Sequence, residues 1–157
     1  GSVRGKTIGI LGLTFKPDTD DMREAPAISI IARLLADGAN IRAFDPEGMD
    51  QAQYVLPDSV VYCGDPLDAA FGADAVVVMT EWNEFRVLPP AHLLNAMQGR
   101  VVIDLRNVFD PAVMRETGFN YHCIGRGERH GVSRRDTRRA VHVAELAENT
   151  GGRFAAD

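Results

Sequence analysis

Short apolar runs alternate with stretches of mixed polarity along most of this chain. The runs at 6–13, 40–44, 59–62, 73–80 and 100–105, rich in Ile, Val and Ala, and the more aromatic 118–124 are too short for long helices. Such runs suit strands of a parallel sheet covered on both faces. Between them, 26–36, 48–56, 66–71, 90–97 and 111–116 carry the spacing and punctuation of helices. Pro26 and Pro66 sit in first helical turns, where a missing N–H costs nothing. Asp65 is placed to cap the helix that follows it, and Gly38 to close the one before it. Strands alternating with helices at this pitch predict right-handed βαβ units. The expectation is an α/β fold: a Rossmann-like three-layer domain with a six-stranded, mainly parallel sheet.

One stretch departs from this economy. Between the first strand and first helix lies Phe15-Lys16-Pro17-Asp18-Thr19-Asp20-Asp21-Met22-Arg23-Glu24-Ala25-Pro26. Charge this dense between two core elements needs pairing partners or a ligand. Two more strand ends carry unusual chemistry: Thr80 to Phe85, and Arg106-Asn107 after Asp104. In a parallel sheet the carboxyl ends share one side, which is where open α/β sheets bind ligands. Lys16, Arg23 and Arg106 would then meet at one crevice, a pattern suited to a phosphate-bearing ligand. The dipole of the helix starting near Pro26 adds to the same side. Asp18, Asp20, Asp21 and Glu24 would hold the loop and orient its cations. Gly9 and Gly12 form only G-x-x-G, weak evidence alone for phosphate binding.

Composition narrows the picture. The 157 residues, 45% of them hydrophobic, fit one domain with a sizeable core. A net charge of -5 argues against nucleic acid as a partner. No apolar run reaches the length of a membrane span, and no leader pattern is present. Cys63 and Cys123 are too few for a disulfide framework and lack metal-ligand spacing, so no metal is expected and the chain reads as a reduced, cytoplasmic domain. Residues 1–2 read as a tag remnant, 3–127 as the domain, and 128–157 as a polar tail in which 140–148 could form one short helix.

The residues resemble a known family. The stretch Gly12 to Pro26 is similar to the signature loop of the UDP-glucose 6-dehydrogenase family, which also includes GDP-mannose and UDP-N-acetyl-mannosamine dehydrogenases. Phe44-Asp45-Pro46, Thr80-Glu81-Trp82-x-x-Phe85, Ile103-Asp104-x-Arg106-Asn107 and Tyr121-x-x-Ile124-Gly125-Arg126 match in order and spacing. The resemblance covers about Lys6 to Arg126 and is to the C-terminal, UDP-binding domain. It implies that Phe15 and Lys16 contact a nucleotide sugar, that Arg106 binds its sugar, and that Arg23 reaches the pyrophosphate of NAD. The family oxidises C6 of the sugar twice through a cysteine thiohemiacetal, with two NAD molecules, to make the uronate. Its NAD-binding domain, central helix and nucleophilic cysteine lie upstream of anything here, so the chain is expected to be an inactive fragment with no catalytic residue of its own. The partners implied are UDP-glucose or a related nucleotide sugar, the N-terminal domain of the same enzyme, and further copies in a homo-oligomer. Two departures stand out. Ala25 replaces a Ser of some members, losing a side-chain cap worth ~1 kcal/mol, and Leu105 replaces a Gly before the Arg.

Other readings of the same residues stay open. Lys16 and Arg23 could be surface partners of Asp18 and Asp21, and Arg106 a strand-end partner of Asp104 or Glu81. The three aspartates could bind Mg²⁺, although pairing is favoured. Trp82 reads as a packing residue shaping the Thr80 loop. Both cysteines read as small buried hydrophobes. His92 and His122 read as structural, with His130 and His142 in the tail. A phospho-acceptor signalling domain shares five βα units and an acidic pair, but needs a Lys where Arg106-Asn107 stands.

Overall fold

The computed structural model describes residues 2–125. Six strands and six helices follow one another among the described residues, with two helices between the fourth and fifth strands: β1 (Thr7–Leu11), α1 (Pro26–Ala36), β2 (Asn40–Phe44), α2 (Met49–Val55), β3 (Val61–Tyr62), α3 (Pro66–Ala70), β4 (Ala75–Val78), α4 (Asn83–Arg86), α5 (Pro90–Ala96), β5 (Val101–Asp104), α6 (Pro111–Thr117) and β6 (Asn120–Cys123). All strand pairs are parallel, in the order β3-β2-β1-β4-β5-β6. The chain therefore reverses its direction of travel across the sheet between β1 and β4, and their carboxyl ends flank a crevice of the kind where such sheets bind ligands. The expected six strands form, and the sheet is parallel throughout. Arg126, the boundary at 127, the tail with its helix at 140–148, His130 and His142 lie outside the described residues.

The pleat explains why the strand sequences read as unbroken apolar runs. Ile8, Ile10, Val77 and Ile103 point into one core layer, shared with Ala27, Ile30, Ile31 and Leu34 of α1 and Ala52 of α2. Leu11, Val76, Val78 and Val102 point into the other, against Ala69 and Ala70 of α3, Leu93 of α5 and Met114 of α6. In β1 and β4, where both faces are covered, neither position in the period-two repeat is free to carry a charge. On the second face α3 lies so close to β1 that a Cβ on Gly9 would sit 2.7 Å from the Ala69 carbonyl oxygen.

Helix ends follow the punctuation. Asp65 and Asp110 accept from backbone N–H groups of the turns they begin. Gly38 turns left-handed (φ +89) after α1, and the next N–H, of Ala39, returns to the Leu34 carbonyl. Ala25, by contrast, precedes α1 with no side-chain cap. The strands are shorter than the apolar runs. β1 stops at Leu11 because Gly12 turns left-handed (φ +91), and the N–H groups of Leu13 and Thr14 go to the Asp45 carboxylate. One element was not expected: the single turn α4 at Asn83–Arg86, in a stretch read as loop, which seats Phe85 fully in the core. No helix among the described residues is long and apolar enough to cross a membrane.

Candidate functional site

A buried carboxylate just past β2 ties the strand ends together. Asp45 is 1% exposed. Its Oδ2 accepts from the N–H groups of Leu13 (2.7 Å) and Thr14 (3.1 Å), from Thr14 Oγ1 (3.1 Å) and from Trp82 Nε1 (3.1 Å). Its Oδ1 accepts from the N–H groups of Glu47 (3.0 Å) and Gly48 (2.7 Å) at the start of α2. One side chain thus fixes the exit of β1, the start of α2 and the segment after β4. Trp82, packed at 6% exposure, shapes the loop after Thr80 as expected of it. Thr80 itself is fully buried and donates from Oγ1 to the Thr14 carbonyl at 2.8 Å. Gly12 has to be glycine beneath this contact: a Cβ would lie 2.5 Å from Thr80 Cβ.

The loop after β1 closes on itself above this anchor. The Phe15 N–H donates to the Asp21 carbonyl at 3.0 Å, and the Asp21 N–H donates to Thr19 Oγ1 at 3.1 Å. Met22 tucks into the core at 5% exposure and anchors the far side. Asp18 (φ 60) and Glu24 (φ 57) both adopt left-handed backbone, uncommon for these residue types and held here by the loop closure. Phe15 is half exposed and Lys16 exposed, and Lys16 makes no ion pair among the described residues.

Arg23 is nearly fully exposed, yet its orientation is fixed. Asp21 Oδ1 accepts from its N–H (2.9 Å) and its Nε (3.0 Å), while Asp21 Oδ2 accepts from Nη2 (2.8 Å). These bonds hold the Asp21 carboxyl at about 2, against 3.8 ordinarily. Of the acidic residues expected to orient the loop's cations, Asp21 does so; Asp18 and Glu24 contribute backbone geometry instead. A cavity of about 550 Å³ opens beside this pair, lined by Thr19–Arg23, Ile28, and Gln51 and Val55 of α2.

The end of β5 has its own anchor. Asp104 is completely buried and accepts from the Arg106 N–H (3.0 Å), the Phe109 N–H (3.0 Å) and the Tyr121 hydroxyl (2.7 Å). Asn107 is left-handed (φ 56), and its Oδ1 is buried with no hydrogen-bond partner among the described residues. The Arg106 side chain reaches the segment after β4. Its Nε donates to Glu81 Oε2 and its Nη2 to Glu81 Oε1 at 2.8 Å, which lowers the Glu81 carboxyl from its ordinary value.

The three loops expected to converge are therefore stitched together, by Thr14 to Thr80 and by Glu81 to Arg106. Phe15, Lys16 and Arg23 share one loop, but Arg23 turns to the α2 cavity, which neither Lys16 nor Arg106 lines. Arg106 pairs with Glu81, so the three cations do not meet at one crevice as expected. Both arginines have the carboxylate partners that the surface-pairing reading offered. In the sequence Asp45 stands out only as a member of the Phe44-Asp45-Pro46 motif. The signal was a lone Asp between a core strand and a Pro, where an unpaired carboxylate would be too costly to keep. Burial raises the Cys63 thiol, opposite to what a nucleophile needs. Cys123 is half-buried on β6 rather than buried, and His92, read as structural, is exposed on α5.

Comparison with known proteins adds to this geometry. The sequence profile described as "UDP-glucose/GDP-mannose dehydrogenase family, UDP binding domain" matches residues 9–111. The UDP-glucose 6-dehydrogenase of Rhizobium meliloti (strain 1021) is 44% identical over 126 residues, covering 80% of this chain and 29% of that protein. A UDP-glucose 6-dehydrogenase of Bacillus subtilis (strain 168) is 43% identical over the same shares. Among solved structures, the UDP-glucose dehydrogenase of Pyrobaculum islandicum matches with a TM-score of 0.63 at 34% identity, covering 78% of this chain and 26% of that one. The NDP-N-acetyl-D-galactosaminuronic acid dehydrogenase of Methanosarcina mazei matches with a TM-score of 0.73 at 27% identity, covering 84% and 27%. The chain spans under a third of the length of the curated relatives it matches.

Proposed function

The chain belongs to the UDP-glucose/GDP-mannose dehydrogenase family, and from that premise we propose that it is the nucleotide-sugar-binding domain of an NAD-dependent UDP-glucose 6-dehydrogenase, making UDP-glucuronate. The observation that supports this best is Lys16, without an ion-pair partner among the described residues, on a loop that buried Asp45, Thr80 and Met22 hold at the switch point of the sheet. In this reading Phe15 packs against the nucleotide sugar and Lys16 brings a point charge to its reacting end. Arg106 binds the sugar, and Arg23 meets the pyrophosphate of NAD across the domain boundary.

NAD supplies hydride acceptance when bound. The residues here fit a minor share of its site: Arg23 is fixed by Asp21 through Nε and Nη2, so its Nη1 side can meet an anionic oxygen beside the cavity. The remaining cofactor contacts and the nucleophilic cysteine belong to an N-terminal domain of the same enzyme. The domain alone therefore binds without turnover, and its other partners are copies of itself in a homo-oligomer. A cytoplasmic location goes with this reading, where NAD and nucleotide sugars are both available. UDP-glucose is favoured over UDP-N-acetyl-mannosamine or GDP-mannose because UDP-glucose 6-dehydrogenases are the relatives near 40% identity, whereas the Pyrococcus horikoshii UDP-N-acetyl-mannosamine enzyme is 26% identical.

Isothermal titration of the chain with UDP and with UDP-glucose tests the proposal. Weak, saturable binding of both is expected, with GDP-mannose weaker. A folded chain that gives no heat with either uridine ligand overturns it.

A further inference from the structure

Two arginines of the site are held in the same way. Arg106 gives Nε and Nη2 to Glu81, and Arg23 gives Nε and Nη2 to Asp21. A guanidinium carries five N–H donors in a rigid plane. Pairing along its Nε–Nη2 edge uses two of them and leaves the Nη1–Nη2 edge, a second parallel fork, without a partner among the described residues. A carboxylate bound in this manner does not block the arginine. It sets the plane and direction in which the remaining fork points.

At Arg106 this buttress is built from separate elements. Glu81 follows β4 and Arg106 follows β5, 25 residues on. Each backbone is anchored independently: the Arg106 N–H on buried Asp104, and the Glu81 segment between buried Thr80 and Trp82. Neither partner is far out in solvent, with side chains 37% and 28% exposed. An exposed ion pair formed by chance between two mobile side chains would have none of this support.

Resting on the reading above that Arg106 meets the sugar, we propose that Glu81 is a positioning residue for sugar recognition. It acts through Arg106, presenting the free Nη1–Nη2 fork to sugar hydroxyls. The ligand class settles the direction of the effect. Against a phosphate, removing Glu81 would gain charge complementarity while losing orientation. Against neutral hydroxyls there is little charge to gain, and the loss of orientation dominates. Glu81 therefore contributes to binding of the sugar and not to binding of the nucleotide.

The test is titration of the chain and its Glu81→Gln, Arg106→Ala and doubly substituted variants with both UDP and UDP-glucose. Glu81→Gln keeps the shape and one acceptor but frees the guanidinium to rotate. The expected result is UDP-glucose affinity reduced roughly three- to tenfold, the scale of one re-mobilised arginine, with UDP affinity unchanged. Retained UDP binding also reports that the variant is folded. In the Arg106→Ala background Glu81→Gln should cost nothing further. If UDP-glucose binds the Glu81→Gln variant as well as the parent, or if both ligands weaken together, Glu81 has no positioning role. The same holds if the two substitutions add independently. Absence of binding by the parent chain overturns the nucleotide-sugar reading itself, and this proposal with it.

Discussion

Buried Asp45 and exposed Asp21 show how differently a carboxylate can serve the same loop. Asp45 accepts from six donors, two of them side-chain groups, in a dry setting. Asp45→Ala would strand those donors at once, and a loss of roughly 3–5 kcal/mol is expected in urea unfolding. Asp45→Asn keeps the volume but presents N–H₂ groups to N–H donors, and should cost about half as much. Trp82→Phe removes one donor while keeping most of the packing, and about 1 kcal/mol is expected. Asp21 contributes orientation rather than stability, because Arg23 is nearly wholly in water. Its folded value of about 2 lies below the ordinary 3.8. The Asp21–Arg23 interaction is thus fully present above about pH 4 and is lost as the pH falls through about 2. Carboxyl-carbon NMR should show an Asp21 midpoint near 2 that returns towards 3.8 in Arg23→Ala. A midpoint unchanged by that substitution would show that Arg23 is not the cause.

Elements were most legible where local chemistry alone decides them. Pro26 to Ala36 and Asn40 to Phe44 were read to the residue, because a first-turn Pro, a left-handed Gly38 and an apolar run bounded by Asp45-Pro46 leave little choice. The strand ends were read too long because apolar character continues past the last ladder bond. What stops β1 is tertiary: Thr80 crowds Gly12, and Asp45 takes the next two N–H groups. The turn α4 was missed for a similar reason. Four residues are too few for a period, and what holds them is Phe85 buried against Phe44, an edge-to-face pair 6.3 Å apart. The start of α1 offers a test at this scale. Ala25 has the extended backbone of an N-cap (φ -63, ψ 128) but no side-chain acceptor. Ala25→Ser should therefore raise stability by about 0.5–1 kcal/mol in urea unfolding. A decrease would mean that the tight packing around Ala25, 3% exposed, has no room for the hydroxyl.

Across the whole molecule, convergence of the three loops was legible and the strand order was not. Parallel strands put their carboxyl ends on one side wherever they stand in the sheet. Alternation of strand and helix was therefore enough to bring the three loops together, through Thr14 with Thr80 and Glu81 with Arg106. It was not enough to gather Lys16, Arg23 and Arg106 at one crevice. Which strands are neighbours depends on pairings between residues far apart in sequence, such as Leu11 with Val78, and no local pattern encodes those. The order sets Arg23 and Arg106 on opposite flanks of one loop system, Arg23 at the α2 cavity and Arg106 on Glu81 after β4. A domain with two cation-bearing flanks is suited to sit between two ligands, one held within it and one held by a neighbouring domain. In a full-length enzyme carrying this domain the flanks should separate kinetically. If Arg23 meets the cofactor as proposed, Arg23→Ala removes a charge-assisted contact and should raise KM for NAD about tenfold or more, with a much smaller change in KM for the nucleotide sugar. Arg106→Ala should do the reverse. Steady-state kinetics with each substrate varied in turn decides the matter: equal effects of both substitutions on both KM values would mean that the flanks serve one ligand, and the two-sided reading of the loop would fall.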